Sequence, residues 1–143
     1  MSIRAQDLEG TGAVIVTFDI HQTAGVDDLK SADIGKAVKQ TASYEIGPVT
    51  DGCIVLGKLI SLTLMDSEST VAGKRKASVQ IGGVVTLLTS ATYPVIGNKV
   101  VGGEGATVKQ APVLVGYDPA GGNIARGSVL AVNGTVDCTL LLT

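Results

Sequence analysis

The segment from Ser78 to Val101, SVQIGGVVTLLTSATYPVIGNKVV, limits the fold more than any other part of the chain. Apolar residues alternate up to Gly82-Gly83. A β-branched run, Val84-Val85-Thr86, follows, and Tyr93-Pro94-Val95-Ile96-Gly97-Asn98 turns the chain back into a strand at Lys99-Val100. A period of two places every second side chain on one face of a sheet, whereas a helix needs apolar residues three and four apart. Paired glycines inside such a run mark a bulge or a bend, and proline with glycine marks a turn. The segment therefore specifies strands, a bend and a turn, with no catalytic equipment of its own.

The rest of the chain follows the same grammar. Val14, Val16, Phe18 and Ile20 share one face of a strand over 13–20, with Thr17 and Asp19 on the other. Residues 21–31 are polar, with room for one helical turn at Val26–Leu29. Asp33 to Lys39 reads as a turn into a strand, and Glu45 to Val49 as a short extended piece, because the residue before Pro48 is pushed away from helical geometry. After a tight turn at Asp51-Gly52, the run Cys53 to Leu64 predicts a long strand. Ile54, Leu56, Ile60, Leu62 and Leu64 form its apolar face, Lys58 interrupts it, and Gly57 signals a bulge or bend. Lys76–Ile81 and Gly83–Leu88 read as two strands, or as one with a glycine bulge. Shorter strands are expected at 99–101, 107–110 and 113–117, with an exposed turn at 118–122. Strands over 125–132 and 135–142 flank Asn133-Gly134, a strong hairpin signal. About nine short strands without a strong helix imply an all-β barrel or sandwich. With 3% aromatic residues and no Trp, its core must be built from Val, Ile, Leu and Ala. At 143 residues the chain reads as one β domain over 13–143, preceded by a polar, flexible N-terminal arm over 1–12.

Composition narrows the function. A net charge of −2 with dispersed Lys and Arg argues against a general nucleic-acid or anionic-membrane binder. No apolar run suits a spanning helix, and the first residues lack the apolar stretch of a signal peptide. The two cysteines, Cys53 and Cys138, sit at apolar strand positions and read as buried thiols; with one histidine they are too few for a structural zinc site. His21 stands on a surface loop, and no Gly-x-Ser-x-Gly elbow accompanies it. Gly102-Gly103-Glu104-Gly105 lacks the lysine and following helix of a phosphate loop and reads as a β-turn. Asp27, Asp28 and Asp33 miss the spacing of a calcium loop. The cluster Lys74-Arg75-Lys76 has no interleaved aromatics; it suits a solvated loop end or a salt-bridging contact with an acidic protein surface. These readings give no enzyme, no cofactor and no metal.

Several segments in order resemble one family. They are Gly35-Lys36-Ala37-Val38, Gly57-Lys58-Leu59, Val79-Gln80-Ile81-Gly82-Gly83-Val84-Val85-Thr86-Leu87, Pro94, Gly97, Val100-Val101, and Gly127-Ser128-Val129-Leu130-Ala131-Val132 with the final hairpin strand. From about Asp33 to the C-terminus the chain is similar to the small decoration, or cement, proteins that stabilise tailed-phage capsids. The first 30 residues fall outside the likeness, and Glu45 to Val49 is longer than the matching segment of many members. The resemblance implies a compact β-barrel or β-tulip-like domain in a homo-oligomer, with a trimer favoured. It implies a protein that sits on the outer capsid surface of the virion, bridges neighbouring major capsid protein subunits, and touches neither nucleic acid nor membrane. Candidate capsid contacts are Ser2, Ile3, Arg4, Gln6, Asp7 and Leu8 of the arm, Lys74, Arg75 and Lys76 of the basic cluster, and Tyr93 of the proline turn. The arm suits addition as an extended strand to a shell edge. The alternatives are a structural β-module of a phage tail or baseplate, and a hollow barrel that holds a small molecule.

Overall fold

A computed structural model describes residues 10–63, 76–112 and 125–143. The strand expected at 113–117, the turn at 118–122 and the loop at 66–73 lie outside the described residues. The fold is all-β. Its strands are β1 (Val14–Ile20), β2 (Gln22–Thr23), β3 (Val26–Asp27), β4 (Ala37–Ala42), β5 (Glu45–Pro48), β6 (Gly57–Leu62), β7 (Lys76–Leu88), β8 (Val100–Gly103), β9 (Thr107–Gln110), β10 (Ser128–Asn133) and β11 (Asp137–Leu142). The helical elements among the described residues reduce to one 3-10 turn at Ser31–Asp33, and none is long and apolar enough to cross a membrane.

Five strands close into a barrel in the order β1-β5-β4-β6-β7, with β7 pairing back onto β1. Closure needs strands that bend, and register shifts supply the bends between Val14 and Ile15, Gln40 and Ala42, and Leu59 and Ser61. The interior is filled by Phe18, Ile20, Leu29, Val38, Ile46, Leu59, Leu62, Ala77 and Val79, all buried. With these side chains packed inside, the barrel is a solid core, unlike the hollow one the small-molecule alternative requires.

β7 is the longest strand, at 13 residues, and it serves two structures. Its first half, Lys76 to Gly82, pairs with β1 and β6 in the barrel; its second half, Gly83 to Leu88, pairs with β11. β10 then pairs with β11. The β8–β9 hairpin covers the inner face of this extension. A second core forms there from Val85, Leu87, Val100, Val108, Val129, Cys138, Leu140 and Leu142. β4 touches both cores, because Ala37 points into the second and its neighbour Val38 into the barrel.

The change of partner happens at Gly82-Gly83. Gly83 has a φ of +86°, and a Cβ there would lie 2.5 Å from the Thr11 carbonyl oxygen. The Gly10 N–H donates to the Val84 carbonyl at 2.8 Å, and the Val84 N–H donates to the Thr11 carbonyl at 2.9 Å. Residues 10–12, assigned to the arm from the sequence, are thus fastened to β7. Gln80 is buried, with 3% exposure. Its side-chain amide donates to the carbonyls of Gly82 and Val84, at 3.0 and 3.1 Å, on either side of Gly83.

Three local expectations are corrected. Val26 and Asp27 form no helical turn; they pair with Thr23 and Gln22 in a small hairpin. In the run from Cys53 the buried residues are Val55, Gly57 and Leu59, the opposite parity to the predicted face, and Ile54 is exposed. The bulge falls between Leu59 and Ser61, not at Gly57, and it returns Leu62 to the interior. Gly57 is glycine for another reason: a Cβ there would meet the Gln80 carbonyl oxygen at 2.0 Å. The final hairpin turns through Gly134–Val136, a three-residue loop, because Asn133 pairs with Asp137.

Gly83 and Gly52 test this account as a pair, since both have φ near +80°, at +86° and +80°. Gly52 faces open space, so Gly52→Ala is expected to cost about 1 kcal/mol from backbone strain alone. Gly83→Ala adds a backbone clash and is expected to cost about 3 kcal/mol or more. Urea unfolding of the two variants measures the difference.

Candidate docking surface

The turn between β7 and β8 presents an apolar surface. Pro94 is buried and anchors the turn, while Val95 and Ile96 point outward with 56% and 68% exposure. Asn98 rigidifies the turn: its side-chain oxygen accepts the Val95 N–H at 2.8 Å, and its own N–H donates to the Val95 carbonyl at 3.0 Å. The turn is fastened to β10 as well. Gly97 N–H donates to the Val129 carbonyl at 2.9 Å, and Val129 N–H donates to the Asn98 carbonyl at 3.0 Å. Leu130 and Val132, which follow Val129 along β10, are also exposed. Val95, Ile96, Leu130 and Val132 therefore lie on two segments held together by backbone hydrogen bonds, and Tyr93 is exposed at the start of the same turn. Exposed apolar residues grouped in this way mark contact surfaces more often than single ones do.

The sequence-predicted contacts divide sharply. Ser2, Ile3, Arg4, Gln6, Asp7, Leu8, Lys74 and Arg75 lie outside the described residues. Lys76 begins β7 and is ion-paired with Asp19 of β1, which makes it a cross-strand pair of the barrel. Tyr93 is exposed as expected, and it adjoins the apolar turn. Val95 and Ile96 were legible as a warning sign, since an apolar pair inside a Pro-to-Gly turn has no core to fill. Leu130 and Val132 were not, because their strand reads as an ordinary core strand.

The titratable groups are bound up in local structure. His21 Nδ1 lies 2.6 Å from Asp28 Oδ2, and the other Asp28 oxygen accepts the Thr23 hydroxyl at 2.8 Å. Asp33 accepts the Lys30 N–H at 2.8 Å and pairs with Lys36 at 3.1 Å, which closes the 3-10 turn. Asp27 accepts the Gln22 amide at 2.6 Å. The three aspartates thus hold a hairpin and a turn. Among the described residues, no three of His, Cys, Asp and Glu gather as a metal site. Gly102 and Gly103 belong to β8, with the turn at 104–106 leading into β9. A Cβ on Gly102 would meet the Thr50 carbonyl oxygen at 2.4 Å, so this glycine serves close packing.

No family model, curated protein or solved structure matches this chain.

The two cysteines are free and unlike. Cys53 is half-buried, donating to the Thr50 carbonyl at 3.0 Å. Cys138 is fully buried in the second core, and burial, with the nearby Asp137 charge adding, pushes its thiol up from 9.0 to about 12. Because the folded value is raised, its contribution to stability is whole below about pH 9 and is lost as pH rises toward 12. A thiol reagent at about pH 8 is expected to modify one cysteine of the native protein, Cys53, and both in denaturant. Cys138→Ala is expected to remove part of the alkaline loss of stability between those limits, as read by urea unfolding across pH.

Proposed function

We propose that this protein is a structural virion component that docks on the outer surface of a phage capsid and stabilises it by bridging neighbouring major capsid protein subunits. The observation that carries the reading is the apolar surface of Val95, Ile96, Leu130 and Val132 on a rigid, solid β body. A side chain already fixed in place loses little conformational entropy on docking, so modest apolar area yields net affinity. At roughly 25 cal/mol per Å² of apolar surface removed from water, a few such side chains supply several kcal/mol. The likeness of the sequence to capsid decoration proteins gives the same direction.

The mechanism is mass action. A protein that binds the assembled shell, and not its separated subunits, shifts the equilibrium toward assembly. Many copies on one shell multiply weak contacts into a durable coat. Association of the protein as a trimer would place several such surfaces around one axis and let each copy hold a different subunit.

The test is addition of the purified protein to bare shells of the phage that encodes it. The expected result is saturable, stoichiometric binding and a raised melting temperature of the shell. A double variant, Ile96→Asp with Leu130→Asp, is expected to fold normally and bind about tenfold or more weakly. Removal of the arm belongs in the same series, but only of residues 2–9, because Gly10 and Thr11 hold β7. Absence of binding to shells, or recovery of the protein with tails alone, contradicts the reading.

A further inference from the structure

The last hairpin carries a chemistry that neither the cores nor the apolar turn uses. Asn133-Gly134 is the one Asn-Gly step in the chain; the other asparagines, Asn98 and Asn123, precede Lys and Ile. The backbone nitrogen that follows an asparagine can attack the side-chain amide, and glycine in that place hinders the approach least, because it has no Cβ and the widest backbone freedom. Asn133 and Gly134 are both exposed, where β10 enters the turn to β11. Gly134 has a φ of +55°, and a Cβ built on it would meet nothing within 4 Å. Among the described residues, neither the Gly134 N–H nor the Asn133 side chain meets a hydrogen-bond partner.

Two comparable steps are shielded. Asp51-Gly52 has the same pattern with a carboxyl group in place of the amide. There the Gly52 N–H donates to the Gly102 carbonyl at 2.8 Å, and the Asp51 carboxylate is ion-paired with Lys109 at 2.7 Å. Asn98 is followed by a lysine, and its side-chain oxygen accepts the Val95 N–H at 2.8 Å. A nitrogen whose proton is held by an acceptor, or a side chain pinned in a turn, is not free to approach the atom it would react with. One bond restrains the Asn133 turn, from the Val136 N–H to the Asn133 carbonyl at 3.0 Å. It lies at an exposed hairpin tip, where local opening costs far less than global unfolding.

We propose that Asn133 is a site of self-modification, at which the folded chain loses a side-chain amide and gains an aspartate or an isoaspartate. The Gly134 nitrogen attacks Cγ of Asn133, and the new N–C bond closes a cyclic imide. The bond from Cγ to the amide nitrogen breaks, and ammonia leaves with the proton from the Gly134 nitrogen. Water then adds to one of the two imide carbonyls and opens the ring, to aspartate or to isoaspartate, whose backbone is longer by a methylene. Nothing is oxidised or reduced, and water is the sole co-reactant. Either product adds one negative charge to a chain that carries −2. The aspartate product stands directly across from Asp137, the strand partner of Asn133. Like charges placed opposite each other destabilise a strand pair. The modification does not depend on what the protein docks against.

The test is incubation of the folded full chain in mildly alkaline buffer, followed by peptide mapping with mass spectrometry. Of Asp51, Asn98 and Asn133, only Asn133 is expected to convert, with both aspartate and isoaspartate recovered. In denaturant, where the shielding bonds are gone, isoaspartate is expected at Asp51 as well. Gly134→Ala is expected to slow conversion at Asn133 about tenfold or more, because its methyl group obstructs the attack. If that variant does not fold, Asn133→Gln replaces it and is expected to abolish conversion at this position. Asn133→Asp supplies the aspartate product directly. It is expected to lower the urea midpoint of the otherwise unaltered chain and to leave that of an Asp137→Asn chain unchanged. No conversion at Asn133 in the folded chain while the denatured chain converts, or conversion at Asp51 or Asn98 in the folded chain as fast as at Asn133, overturns the proposal. An equal fall in midpoint in both backgrounds overturns the cross-strand repulsion.

Discussion

The structure depends on how β7 changes partners. A strand that leaves a closed barrel for a second sheet must bend sharply, and bending exposes backbone groups that burial would leave without partners. Gly83 supplies the bend, and the groups around it are satisfied from three directions. The Gln80 amide donates to the carbonyls of Gly82 and Val84. Gly10 and Thr11 exchange bonds with Val84. Arg126 donates to the Ile81 carbonyl at 3.0 Å. Each unmet buried group costs roughly 1–3 kcal/mol, so loss of this set would consume much of a small domain's stability.

The apolar turn and the tie between the two cores follow from that junction. The second sheet exists because β7 continues past Gly83, and it provides Val129, to which the apolar turn is bonded. Arg126, on the approach to β10, reaches the chain before β6 and donates to the Val55 carbonyl at 3.0 Å. The two cores are further tied by the bond from the Ala37 N–H to the Ala106 carbonyl at 3.2 Å, and by the exchange between Gly52, Cys53 and Gly102.

Much of the fold was legible in the sequence because strand alternation and turn chemistry are local. Val14 to Ile20, Glu45 to Pro48, the turn at Asp51-Gly52 and the pairing of the last two strands follow from spacing and from glycine and proline. What was not legible depends on contacts between distant segments. The run from Cys53 has apolar residues on both parities, so its buried face is decided by packing against Val79 and by the bulge before Ser61, not by its own pattern. Gln80 is a polar residue in an apolar strand, and its burial goes with the bend at Gly83, whose flanking carbonyls its amide meets. The bond from Arg126 to the Val55 carbonyl joins residues 71 apart in the chain, and no local pattern announces that. The contacts expected from the sequence fell on the arm, the basic cluster and Tyr93, whereas Val95, Ile96, Leu130 and Val132 are exposed on the β7–β8 turn and on β10.

The central claim is that β7 makes the barrel and the second sheet one cooperative body. Native-state hydrogen exchange of backbone amides across a denaturant series tests it most directly. The account predicts that protected amides in the barrel strands β1 and β6 and in the second-sheet strands β10 and β11 merge into one opening free energy, equal to that of global unfolding. Two separate opening energies, with β10 and β11 exchanging while the barrel stays closed, would contradict it.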